Sequence, residues 1–94
     1  MSKAYSITSK AKESGWIDGK IDEFRFQAKV YDIGSKFGIN SGRVSKLAIW
    51  DQQRHSVINY DRGWDVKPDS VEQKDILRAL LKYLEALPIW ENLR

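Results

Sequence analysis

The eight residues FRFQAKVY, positions 24–31, constrain the fold more than any other stretch of the chain. Phe24, Phe26, Ala28 and Val30 alternate with Arg25, Gln27, Lys29 and Tyr31. A period of two separates a buried face from a wetted face only in an extended strand. The wetted face is basic. A chain with this segment near its centre must build a sheet and cover one side of it.

The flanking segments supply partners. Trp16 and Ile17 lead into Asp18-Gly19, a dipeptide suited to the positive φ angles of a hairpin turn, so the chain is expected to reverse there. In RVSKLAIWD, Leu47 and Ile49 oppose Ala48 and Trp50. The polar run DQQRH predicts a hairpin connection, and SVINYDRGW a further strand with Ile58 and Tyr60 opposed to Val57 and Asn59. Both strands carry apolar residues on two faces, which predicts a central position or cover on the second face. Residues 1–13 are expected to form an arm or an edge strand, with Tyr5 and Ile7 placing the strand at Ala4–Thr8.

PDSVEQKDILRALLKYLEAL has the marks of a helix over residues 69–87. Pro68 precedes it, and Asp69 or Ser70 as N-cap makes a capping box with Glu72 or Gln73. Ile76, Leu77, Leu80, Leu81 and Leu84 form one apolar stripe, with Lys74, Arg78, Lys82 and Glu85 on the wetted side. Pro88 ends the pattern, and Ile89, Trp90 and Leu93 predict that residues 88–94 dock rather than remain in solvent. The expected architecture is a single α+β domain. Residues 14–66 form an antiparallel meander of four or five strands, and one C-terminal amphipathic helix packs on a sheet face.

Composition bounds the chemistry. With no cysteine, a disulfide framework, a thiolate zinc site and a cysteine nucleophile are all excluded. No apolar run approaches the ~18–20 residues of a membrane span, and no apolar signal region follows the N-terminus, so a cytoplasmic location without membrane contact is expected. The lone His55 lies in the polar turn with no second histidine near it and reads as a surface residue. No nucleophile–base pair, metal cluster or cofactor motif is visible. The expectation is a protein that is not an enzyme and holds neither cofactor nor metal.

The net charge of +3 is unevenly placed. Residues 1–46 hold nine Lys/Arg against five Asp/Glu, a balance of +4, and residues 47–94 hold seven against eight. Two features of the basic half could bind an anion. One is the loop DIGSKFGINSGRVSK, residues 32–46, where Lys36, Arg43 and Lys46 stand among Gly34, Gly38 and Gly42. Such glycines let amides converge on a phosphate, but neither the Walker pattern nor the dinucleotide fingerprint is present. The plainer reading is a shaped connection whose glycines take positive φ, with Phe37 and Ile39 tucked inward. The other feature is the wetted strand face, where Arg25 and Lys29 could contact phosphates beside Tyr31, or simply pair with neighbouring carboxylates.

These features predict a small binding module in which Arg25, Lys29, Lys36, Arg43 and Lys46 contact nucleic acid with little sequence specificity. The alternative is an adaptor or inhibitor that meets a host protein through Trp50, Trp64 and Trp90 on an exposed sheet surface. A sheet with one helix leaves a face uncovered, so a homodimer is also expected, unless the arm and tail cover that face.

The run KVYDIGSKFGINSGRVSKLAIW, about a quarter of the chain, resembles small uncharacterised proteins of bacterial mobile elements such as phages and conjugative transposons. They share its glycine-punctuated loop followed by an apolar strand. The resemblance implies an accessory or host-takeover protein and carries over no activity and no site residues.

Overall fold

The computed structural model describes residues 4–87. Six strands follow one another across a single antiparallel sheet in sequence order. They are β1 (Ile7–Ala11), β2 (Trp16–Ile21), β3 (Phe24–Val30), β4 (Val44–Trp50), β5 (Ser56–Asp61) and β6 (Trp64–Val66). One helix, α1 (Val71–Glu85), follows. The α+β class and the meander are as the sequence predicts. Two local features depart from that reading, and the second of them raises the strand count.

The first concerns Gly19. The chain does not turn at Asp18-Gly19; β2 runs through both residues, and the reversal falls at Asp22-Glu23, where Asp22 takes φ 50°. Gly19 is directly opposite Phe26. A Cβ there would lie 2.7 Å from Phe26 Cζ and would strike the Thr8 carbonyl. The glycine admits the ring and the neighbouring strand rather than a turn. The second concerns Arg62, whose φ of 60° turns the chain back beside Gly63. DRGW is therefore a hairpin, and Trp64 begins β6 instead of extending β5. At the other edge, the N-terminal strand is Ile7–Ala11, three residues later than the sequence suggests.

Alternation sorts the sheet into two faces. Ile17, Ile21, Phe26, Ala28, Val30, Leu47, Ile49, Ile58 and Tyr60 are buried on one. Ile76, Leu80 and Leu84 of α1 close over them in one hydrophobic cluster. The helix comes nearest to the central strand β4. Tyr5 anchors the arm before β1 to the helix by donating its hydroxyl to Asp75 Oδ2 at 2.9 Å. Its pKa is raised above the ordinary tyrosine value by desolvation first, then by that bond and the nearby negative charges of Asp75, Glu72 and Asp22.

The capping box resolves onto Ser70. Its hydroxyl accepts from the Gln73 amide at 3.0 Å, and Gln73 Oε1 accepts in return from the Ser70 and Asp69 amides. Ser70→Ala is expected to lower stability by about 1 kcal/mol. Thermal melting followed by circular dichroism checks this. Pro88, Trp90 and the 88–94 tail lie outside the described residues, and among those described no helix is long and apolar enough to cross a membrane.

Candidate nucleic-acid interface

The second face of the sheet carries no covering layer among the described residues. The strand register places its side chains in three rows. Thr8, Lys20, Arg25, Trp50 and Ser56 form one; Lys10, Asp18, Gln27, Ala48 and Asn59 form the next; Trp16, Lys29, Lys46 and Asp61 form the third. Five cations thus share a face with two carboxylates. Arg25 stands between Lys20 and Trp50, and Lys29 between Trp16 and Lys46, so neither meets a cross-strand acid. Among the described residues neither forms an ion pair. Lys46 does, at 3.8 Å from Asp61, but both groups are exposed and water screens the pair.

Aromatic rings hold the lysines upright. Lys29 Nζ lies 5.2 Å from the centre of the Trp16 ring and 5.6 Å from that of Tyr31, and Lys46 Nζ lies 5.8 Å from Trp16. The aliphatic stems cover apolar surface while the ammonium groups stay in water. This satisfies the two-faced apolar character of the central strands without a second layer of helices.

Charge is not uniform along the face. At the end formed by the β2–β3 and β4–β5 turns, a shallow groove of about 950 Å³ is lined by Lys20, Arg25 and Arg54, but also by Asp18, Asp22, Glu23 and Asp51. Asp18 Oδ1 is buried there without a hydrogen-bond partner among the described residues. The opposite end, around Lys29 and Lys46, is the more positive.

The glycine-rich loop is a shaped connection, though not for the expected reason. Its left-handed residues are Asn40 and Ser41, at φ 54° and 61°, whereas Gly38 and Gly42 have φ of −78° and −91°. Ile39 is buried as expected, but Phe37 is half exposed. The loop amides are spent internally: Ser35 donates to the Gly42 carbonyl, Gly38 to Ser35, Ser41 to Gly38 and Gly42 to Ile39, at 2.9–3.2 Å. No amide nest forms from these four groups.

The predicted cations separate accordingly. Arg25, Lys29 and Lys46 share the open face; Lys36 lies in the loop with Nζ 5.2 Å from the Phe37 ring. Arg43 turns to the helix instead. Its Nε donates to the Tyr31 carbonyl at 2.7 Å, and its Nη1 to the carbonyls of Glu85 and Leu87 at 3.0 and 2.7 Å. Sequence reasoning passed over Lys10, Lys20 and Trp16, which alternation on β1 and β2 would have assigned to the basic face once Gly19 was read as strand.

The predicted tryptophans separate as well. Trp50 is half-buried on the open face, while Trp64 packs edge-to-face on Tyr60 at 5.0 Å, on the side of the helix. Trp50 and Trp64 therefore do not form one surface. His55 is an exposed turn residue, 3.6 Å from Asp51. The described residues contain no group of three or more His, Asp or Glu placed to hold a metal.

A second concavity lies where the loop meets the end of the sheet. This cleft of about 610 Å³ is lined by Tyr31, Asp32, Ile33, Phe37, Ser45 and Arg62, among others. Ser45 is the extra residue at the β3–β4 register shift; it is 4% exposed, and its hydroxyl has no hydrogen-bond partner among the described residues.

Residues 15–85, from the start of β2 to the end of α1, match the family described as a domain of unknown function, DUF7678, and the chain belongs to that family. No curated protein and no solved structure matches it.

Proposed function

We propose that this protein is a non-catalytic binding module that receives the phosphate backbone of a nucleic acid on the open sheet face. The supporting observation is that, among the described residues, Arg25 and Lys29 form no ion pair in a row-ordered face of five cations against two carboxylates. A cation satisfied by a neighbouring acid gains little from a phosphate. Among the described residues neither Arg25 nor Lys29 is held in an ion pair, although Asp18 and the carboxylates of the turns line the same groove as Arg25. Lys10, Lys20 and Lys46 complete the footprint, with Lys36 at its rim. Arg43 belongs to the scaffold. Backbone contacts of this kind bind without reading sequence.

Binding to a labelled oligonucleotide is expected to weaken steeply as salt rises. The logarithmic slope is roughly −3 for four phosphate contacts on a single strand. Lys29→Glu should reduce affinity about tenfold, because it also sets a negative charge beside Lys46. Fluorescence anisotropy at several salt concentrations measures both effects. Salt-independent binding, or wild-type affinity in Lys29→Glu, would remove the proposal.

A further inference from the structure

We infer that the nucleic acid is single-stranded and that one of its bases enters the cleft between the loop and the sheet end. The inference rests on the proposed phosphate-binding face and adds what lies beside it. Tyr31 joins the two sites: its ring lines the cleft and lies 5.6 Å from Lys29 Nζ. A strand with a phosphate on Lys29 therefore has its adjoining sugar and base beside an aromatic opening.

The lining suits a base better than a phosphate. Tyr31 and Phe37 are each about half exposed, and Ile33 is 80% exposed. Half the large apolar side chains exposed among the described residues thus gather at one cleft. Flat π-faces on such residues stack any base with little regard to sequence. Asp32, also in the lining, opposes a phosphate there and leaves the backbone to the lysines outside. The Arg62 side chain in the lining supplies a polar group for an inserted base edge. A duplex cannot use this site, since its bases are stacked and paired. An unpaired strand can.

The test compares a labelled oligothymidylate of about twelve nucleotides with a duplex of the same length. The strand is expected to bind about tenfold tighter than the duplex. Phe37→Ala should remove most of that difference and leave duplex binding and its salt slope unchanged, and Tyr31→Ala should remove the preference for the strand as well. Phe37→Ala keeps the backbone carbonyl that accepts from Tyr60 at 2.8 Å, so it should stay folded, which a thermal melt verifies. Tyr31→Phe should bind as wild type. Equal affinity for strand and duplex overturns the inference. So do Tyr31→Ala and Phe37→Ala proteins that still prefer the strand; the cleft then belongs to another occupant, such as an apolar peptide. In either case a weakened Lys29→Glu protein leaves the phosphate-binding face standing. If wild type binds neither polymer at low salt, that face fails and the inference falls with it.

Discussion

Alanine at position 38 is expected to cost about 3 kcal/mol of folding stability and to lower the melting temperature by roughly 15 °C. The backbone there has φ −78°, which any residue adopts, so the objection is purely steric. A methyl group on Gly38 would strike the Gly42 carbonyl oxygen and lie 2.8 Å from its carbon. Both atoms are backbone, within a short turn closed by the Ser41 and Gly42 amides, so no change of rotamer relieves the contact. The turn has to open. Opening it withdraws Ile39, which is buried in the same core as the helix. Gly63 provides the matched control, because nothing lies within 4 Å of a Cβ there and its substitution should shift the melt by only a few degrees. If Gly38→Ala melts as wild type does, the loop is not the rigid connection its hydrogen bonds describe.

That loop also marks the limit of what the sequence could say. Where one local rule acts alone, the reading succeeds. Alternation over Phe24–Val30 placed β3, and the apolar stripe with its capping box placed α1, because period and cap chemistry are written in neighbouring residues. Glycine is ambiguous in a way that no neighbour resolves. Gly19 and Gly38 are both required by close approach of groups distant in sequence or across a turn, yet each looks like a residue chosen for its backbone freedom. Misreading Gly19 shortened β2 and hid Lys20 and Trp16 from the basic face. Three of the five cations on the face were still legible, since Arg25, Lys29 and Lys46 lie on strands whose alternation is plain. The role of Arg43 was not: its helix-end partners, the Glu85 and Leu87 carbonyls, lie more than forty residues away, and nothing beside it in the sequence announces them.

Arg43→Ala is expected to destabilise the fold by about 2–3 kcal/mol while leaving nucleic-acid affinity within about twofold of wild type. The last carbonyls of a helix have no partners within it, and a cation placed there also meets the negative end of the helix dipole. Arg43 supplies both, through bonds to Glu85 and Leu87, and its third bond ties the helix end to Tyr31 at the start of the loop. Its own amide donates to Glu85 Oε2 at 2.8 Å, a contact that alanine retains. The loss is therefore that of the guanidinium alone. Lysine should recover less than half of it, because a single ammonium keeps the charge but not the fork that spans separate carbonyls. Lys46→Glu should show the opposite pattern. Its partner Asp61 is exposed, so the melt should move by only a few degrees, yet affinity should fall about tenfold. Measuring melting temperature and oligonucleotide affinity on both variants, at a temperature where each is folded, separates scaffold from interface. An Arg43→Ala protein that melts normally and binds as weakly as Lys46→Glu would return Arg43 to the phosphate contacts and undo the division drawn between loop and face.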